Sequence, residues 1–543
     1  MKKFYMLFLT LSLLVLANST HGQGTFGEGG LLPFNPSRSV IFGYDIYINN
    51  QPDQDQQQAT LCSAFNGWLY STYSYDKNGI AHISIMQSQD DGKTWALFFD
   101  GSLGLHNCIF TKIEMIAAGN VEDELKIFLG GIYYDTLSQG GGMFVIRING
   151  ITGIKEGTVY DNTSGEIKDI ALATDYPHPA YNSNPFSVGF LCSTKHTTDS
   201  VVFRSSSNGG VFFDNYRVLA AGQGYFHNVD LSYSYSPTYP NGQYFATWEQ
   251  KDDHDSEYGH LYASHSSPNF NSPFTVSVCL DCPDPDLSNK CSNPVISCIS
   301  GNSDNDSLNI TEVILFENIN SQGNKDITGF YNRKAATGNN FLRMNIAQGT
   351  SDQFQPDICY NQFDSAFMAT YYDEPDQKLP FIKNNHSLVN PEGWSFASHG
   401  YNDNPNLINP DPKVILNYEK QSGAAVWRAE RSTGKGAAMY DAEYIYYTGL
   451  TENNSTKSPL NLKVFPNPCS SFITIEFELE KNDNTTIILY DLLGQPVRKC
   501  CDQNFAPGKH KIKSNISDLP PGTYMVKFTN GKFIISHKIN ILH

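Results

Sequence analysis

Beyond its start, this chain of 543 residues has no run approaching twenty consecutive apolar residues, so nothing later in it reads as a membrane-spanning helix. It is also short of basic charge: 37 Lys and Arg against 55 Asp and Glu leave a formal net charge of -18 and an isoelectric point near 5.2. A polyanion would meet net repulsion over most of such a surface, which argues against nucleic acid as a partner. Long helical runs of Ala, Leu, Glu and Lys are hard to find. Nucleophile elbows, phosphate-binding loops and the His-Glu-x-x-His pattern are missing, so no motif fixes a reaction. What is plentiful is aromatic and turn chemistry, with 31 Tyr, 34 Phe, 43 Gly and 27 Pro, and an all-β protein is expected.

The length exceeds one ordinary core, so two or more domains or one large repeat array should form. Residues 1–22 read as a signal peptide, with Lys2 and Lys3 ahead of an apolar run from Phe4 to Ala17. Thr20-His21-Gly22 before Gln23 is the expected cleavage site, and with no Cys nearby a lipoprotein anchor is not expected. The 11 cysteines include a dense group, Cys279, Cys282, Cys291 and Cys298. In an exported chain, and without a closed Cys/His set of familiar form, these read as loop-stapling disulfides in preference to a zinc site.

Alternating hydrophobic segments recur along the chain. Strand candidates of one type begin near Gly67, Lys126, Phe186, Gln243, Glu312, Ser365 and Gly423, spaced by 53 to 69 residues, each followed by a polar turn and a partner strand. Several copies carry an upstream apolar segment, among them HNVDLSYS, NPVISCIS, QPDICYN and DPKVILNY. The unit therefore holds three or four strands, the size of a propeller blade, and residues 23–449 are expected to form a seven-bladed β-propeller. The last unit lacks a fourth strand, which the stretch from Ser39 to Ile48 is placed to supply.

Ser88, Asp90, Gly92, Thr94 and Trp95 fit the pattern Ser-x-Asp-x-Gly-x-Thr-Trp. Asp90 can bond local backbone, Gly92 can take a positive φ and Trp95 can cover a blade core. This turn resembles the Asp-box, or BNR, repeat of sialidase-like propellers, where it closes the hairpin between the third and fourth strands away from the active face. A weaker copy is read at Ser205, Ser207, Gly209 and Phe212, with decayed relatives at Gly338 with Phe341 and at Glu392-Gly393-Trp394.

After a polar linker at 450–461, the landmarks of residues 462–543 are VFPNP (Val464 to Pro468), the turn YDLLGQ and LPPGTY. Together with a closing basic-apolar strand they resemble the C-terminal sorting domain of the type IX secretion system. The resemblance singles out Pro466, Asn467, Pro468, Asp491, Gly494, Pro521, Gly522 and Tyr524. It implies a small C-terminal β-sandwich recognised by the outer-membrane translocon and removed by a sortase-like protease, the cargo then being surface-linked or released. The adjacent Cys500 and Cys501 depart from that pattern.

A sialidase would need three arginines for the substrate carboxylate, a Tyr with a Glu, and an acidic Asp. The family's early Arg-Ile-Pro is absent, since Ser39 and Val40 follow Arg38. Of Arg147, Arg204, Arg217, Arg333, Arg343, Arg428 and Arg431, the first, second and fourth fall at equivalent third-strand positions, which fits repeat structure better than a convergent triad. Asp252, Asp253, His254, Asp255, Glu257 and His260 could hold calcium or a transition metal, with Asp253, Asp255 and Glu257 as the candidates. A solvated acidic turn is favoured for them, as for Asp304 and Asp306, and no cofactor is expected. Tyr133, Tyr134, Tyr371, Tyr372 and Trp248 could stack on sugars, although most should pack between blades. The reading is an exported propeller that binds glycans or a protein partner, with a sialidase-like glycoside hydrolase and a structural surface component as alternatives.

Overall fold

The computed structural model describes residues 40–445 and 463–542, apart from 43–44, 139, 163–165, 175–185, 196–198, 223, 237–238, 254, 267–273, 276, 300–310, 334–338, 363–365, 375, 386–393, 397–399, 404–405, 408, 419–420, 468, 480, 491–495, 521 and 530–533. The leader with Arg38, the linker, His254, Asp304, Asp306, Gly338, Glu392, Gly393, Pro468, Asp491, Gly494 and Pro521 therefore lie outside the described residues. The chain divides into two compact units, Met1–Tyr444 and Ile445–His543.

Seven antiparallel sheets make up the first unit among the described residues. Their first strands are Gln57–Ser63, Cys108–Ala118, Glu166–Thr174, Tyr225–Ser236, Cys291–Cys298, Gln353–Asn361 and Lys413–Asn417, and the sheets are numbered here in that order. Each first strand contacts the first strand of the next sheet, and that of sheet 7 contacts that of sheet 1, so the ring closes as a β-propeller around a channel lined by first strands. The core is divided in the same way. Seven clusters of buried apolar side chains each draw on two consecutive sheets, the last joining sheets 7 and 1.

Sequence pattern follows this layering. Second strands, such as Leu69–Lys77 and Ala366–Asp373, are buried on both faces over most of their length and read as near-continuous apolar runs. Outer strands such as Ala96–Gly101 and Asn215–Gly222 are largely exposed. The hairpins detected by alternation are thus the second and third strands, and the upstream apolar segments are the first.

Closure uses the start of the described chain. Val40–Phe42 and Ile46–Tyr47 pair with Gly436–Ile445, the third strand of sheet 7, in the register Ile46 to Tyr440 and Tyr47 to Met439. Beyond the ladder, the Ile48 N–H donates to the Ala438 carbonyl at 3.1 Å and the Gln56 N–H to that of Gly436 at 3.1 Å. Arg431 donates to the carbonyls of Gln54 and Asn49 at 3.0 and 3.1 Å, and its guanidinium lies 5.5 Å from the Tyr47 ring centre.

The turn after the third strand of sheet 1 is built by its side chains. The Ser88 hydroxyl donates to Asp90 Oδ1 at 2.9 Å and accepts the Gly92 N–H at 2.8 Å. Asp90 accepts from the Thr94 N–H at 2.8 Å and the Thr94 hydroxyl at 2.7 Å. Burial opposes ionisation of Asp90, but these donors outweigh it and hold its carboxyl below its ordinary range. Trp95 packs edge-on against Tyr440 of sheet 7, with ring centres 5.3 Å apart.

The second copy of the turn sits one residue later than the sequence reading placed it. Ser206, not Ser205, donates to Asn208 at 2.6 Å and accepts the Gly210 N–H at 3.0 Å. Gly210, not Gly209, corresponds to Gly92, and buried Phe213, not exposed Phe212, takes the place of Trp95. The reason is geometric: the hydroxyl must reach the N–H four residues on, and the aromatic must point inward to cover the sheet. With Asn208 where the pattern has Asp, Ser205 and Ser206 looked equivalent in the sequence.

The second unit packs a three-stranded sheet (Lys463–Phe465, Phe472–Leu479, Gly508–Asn515) on a four-stranded one (Pro496–Phe505, Asp483–Tyr490, Gly522–Thr529, Ile534–Ile541) around one apolar cluster, a small β-sandwich. Buried Tyr524 donates its hydroxyl to the Pro520 carbonyl at 2.9 Å, while Pro466 and Asn467 form the bend after the first strand. The paired cysteines have a structural account here. Ile487 pairs with Cys501 but Ile488 with Lys499, so Cys500 is the extra residue of a β-bulge, and both cysteines touch the core.

Candidate functional site

Third strands run parallel to first strands, so the turns at Ser88–Trp95 and Ser206–Phe213 lie at the C-terminal ends of the first strands. The opposite face, at their N-terminal ends, carries a cavity of about 440 Å³. Its lining comes from all seven sheets.

A backbone device recurs there. In sheets 1 to 6 the first strand slips register against the second close to its start, at Gln57/Thr60, Phe110/Lys112, Ile167/Asp169, His227/Asp230, Ser292/Val295 and Phe354/Asp357. Gln58, Asn228, Asn293 and Gln355 in these bulges, and Asn409 ahead of sheet 7, have φ between 44 and 55°. Asn tolerates this left-handed conformation better than most non-glycine residues, and bulges re-aim side chains where strands begin. Two bulges are fastened alike: Asn228 donates to Glu249 at 2.5 Å and Asn293 to Glu317 at 2.6 Å, both acceptors on second strands.

Just inside the bulges lie carboxylates that bridge sheets. Asp169 accepts the Val229 N–H of the next sheet at 2.7 Å, Asp230 that of Ile296 at 2.7 Å, and Asp357 that of Val414 at 2.6 Å. Lys112 reaches Asp169 at 2.7 Å and Glu114 at 3.6 Å, and Lys413 reaches Asp411 at 3.5 Å and Asp357 at 3.8 Å. Burial pushes the Asp230 carboxyl up to about 6 against the pull of backbone donors, and that of Asp357 up to about 7 against the pull of Lys413. Desolvation opposes the charge on Lys112 and Lys413, but neighbouring carboxylates outweigh it and hold both ammonium groups above their ordinary range. The mouth thus presents ammonium groups beside carboxyls that burial raises above their ordinary range in one concave surface.

A carboxyl raised from about 4 in the unfolded chain to about 7 in the fold costs stability once it ionises. The contribution of Asp357 is therefore fully favourable below about pH 4 and is lost as pH rises through about 7. The variant Asp357→Asn keeps an acceptor for Val414 and should flatten the fall in stability between pH 5 and 8, measured by urea unfolding at several pH values. An unchanged slope would show that this carboxyl is not raised.

The residues singled out from sequence go elsewhere. Glu257 pairs with Lys325 at 2.9 Å, Asp253 accepts the Asp255 N–H at 3.3 Å as a turn, and His260 bonds Asp281 at 2.9 Å, so Asp253, Asp255 and Glu257 do not gather into a metal site. Their hairpin is polar because it is a solvated turn. Among the described residues the lining holds one arginine, Arg428, and no aromatic ring. Arg147 pairs with Glu156 at 2.9 Å, Arg204 lies over Tyr160 and Tyr216, and Arg343 pairs with Asp284 at 3.0 Å. Trp248, Tyr371 and Tyr372 are buried between sheets. Lys112, Asp169, Asp230, Asp357 and Lys413 escaped the sequence reading as site residues. Their signal was the short polar entry to each upstream segment, as in Asn228-Val229-Asp230 and Gln355-Pro356-Asp357.

The sandwich of the second unit coincides with a known module. Residues 463–542 match the family described as the secretion system C-terminal sorting domain. The protein is thus a type IX secretion cargo, released or held at the cell surface, and its tail engages the secretion machinery. Among the described residues no helix is long and apolar enough to cross a membrane. No curated protein sequence matches the chain. Solved structures similar to it include a protein of unknown function from Dyadobacter fermentans, at 10% identity and TM-score 0.40, covering 75% of this chain and 100% of that one. The α-L-arabinofuranosidase Arb93A of Fusarium graminearum aligns at 10% identity and TM-score 0.36, covering 75% and 96%. The NanB sialidase of Streptococcus pneumoniae aligns at 10% identity and TM-score 0.38, covering 76% and 71%. For this chain the propeller rests on the closed ring of sheets described above.

Proposed function

We propose that the exported propeller binds a glycan, free or carried by a surface partner, at the mouth of its channel. The cavity carries the reading: about 440 Å³ lies within the range of small-ligand pockets, and its lining alternates amide, carboxyl and ammonium groups that match sugar hydroxyls as donors and acceptors. Residues 1–22 act as the leader, and the tail from about residue 462 is removed by a sortase-like protease, so neither contributes to recognition. Glycan-array binding by the mature chain is expected, weakened at least ~10-fold by the double variant Lys112→Ala/Asp357→Ala, the loss of two polar contacts. A blank array, or equal binding by the variant, would refute the reading.

A hydrolase reading draws on one observation: Asp357, raised to about 7 by burial, offers a carboxyl that can hold a proton near neutrality, as a general acid requires. Turnover of fluorogenic glycosides that Asp357→Asn abolishes would favour it over binding alone.

A further inference from the structure

On the channel-mouth face, between sheets 4 and 5, four donor groups of different chemistry converge outside the cavity. His260 opens the third strand of sheet 4, His260–His265, and Cys279 ends its short fourth strand, Val278–Cys279. Asp281 and Cys282 follow in the connection to sheet 5. The His260 ring nitrogen, both sulfurs and an Asp281 oxygen all lie within 4.8 Å of one another. Cys282 Sγ is 3.8 Å from His260 Nδ1, and Cys279 Sγ is 3.6 Å from Asp281 Oδ1. The sulfurs of Cys279 and Cys282 are joined as a disulfide, whereas Cys291 and Cys298, the other members of the sequence cluster, are buried free thiols.

Asp281 makes the place more than a staple. It is fully buried, and the N–H groups of Leu261 at 2.8 Å and Asn289 at 3.0 Å aim its carboxylate. Its Oδ2 lies 2.9 Å from the Nδ1 of His260. A buried carboxylate beside an imidazole and two sulfurs is a donor set for a borderline-soft divalent ion. Cys282 is exposed, so ions and reductants can reach the pair.

We propose that these four residues form a redox-gated site for a transition-metal ion of the zinc class. Oxidised, the cysteines staple the connection. An external dithiol reduces them by transferring two electrons and two protons: the S–S bond breaks, two thiols form and the reductant closes to its own disulfide. The ion then replaces both thiol protons, which leave to solvent, and takes its third and fourth ligands from neutral His260 and Asp281. Re-oxidation by a small-molecule disulfide, which accepts the two electrons, takes two protons from solvent and leaves as two thiols, re-forms the Cys279–Cys282 bond and expels the ion.

Cobalt(II) tests this on the full chain, because thiolate ligation gives it a charge-transfer absorption. Protein reduced with a dithiol, then freed of it, is expected to bind one equivalent of cobalt with that absorption, and protein kept oxidised is expected to show none. The signal should disappear in Cys282→Ser, and affinity should fall at least ~10-fold in His260→Gln. The inference is overturned if reduced protein with native circular dichroism gives no thiolate–cobalt band. It is also overturned if Cys282→Ser gives the same band, which would place the ion at other thiols such as Cys500 and Cys501.

Discussion

A chain lacking residues 40–50 is expected to lose at least ~4 kcal/mol of stability in the propeller. Ile48 is 1% exposed, and burying such a side chain contributes about 2 kcal/mol. The same deletion strips partners from Gly436–Ile445, the third strand of sheet 7, and removes the Asn49 carbonyl that accepts from buried Arg431. Each buried donor left without an acceptor costs about 1 to 3 kcal/mol. A ring amplifies the loss, because sheet 7 contacts both sheet 6 and sheet 1 and its failure opens the channel. Chemical unfolding followed by tryptophan fluorescence would measure it, and an unchanged midpoint would mean that the first described strands add nothing to closure.

The second large effect is expected at the two turn glycines. Gly92 has φ of 80°, and a Cβ there would fall 2.0 Å from Cε1 of Tyr440; at Gly210, with φ of 70°, it would fall 2.2 Å from the Phe128 ring. Alanine at either site combines left-handed backbone strain of about 1 kcal/mol with overpacking of about 1 to 3 kcal/mol, for a loss near 3 kcal/mol. Gly209 should behave differently. Its φ of 69° is matched in the first turn by Asp91, at 61°, so the fold already accepts a side chain there. Gly209→Asn is therefore expected to change stability by less than ~1 kcal/mol, Asn being tolerant of that conformation. Urea unfolding of Gly210→Ala and Gly209→Asn side by side decides the register of the second turn; equal losses would contradict the one given by the Ser206 hydrogen bonds.

Much of the architecture was legible because its causes are local. Second strands sandwiched between neighbouring sheets must be apolar on both faces, and each is followed by a turn and a largely buried partner strand, so the repeat showed itself as seven hairpins. The turn at Ser88 was legible because its hydroxyl, carboxylate and glycine act within eight consecutive residues. The tail could be read for the same reason, with Pro466 and Asn467 at a bend and Tyr524 at a buried position of one small sandwich.

The mouth of the channel was not legible. Asp230 bonds backbone 66 residues away, Asp357 backbone 57 residues away and Lys112 a carboxylate on the next sheet, pairings that exist only once the ring has closed. The acidic hairpin drew attention to Glu257 because its charges are neighbours in sequence, yet Glu257 turns to Lys325 of sheet 5 and His260 to the cysteine connection.

The sequence by itself determined the strand repeat, the turn chemistry and the export address, all properties of short segments whose residues meet their partners locally. Tertiary structure alone decided which residues face the channel, which carboxyls lose water and hold their protons to higher pH, and which two cysteines join. Each of these depends on what a neighbouring sheet places opposite, and a linear pattern does not carry that information.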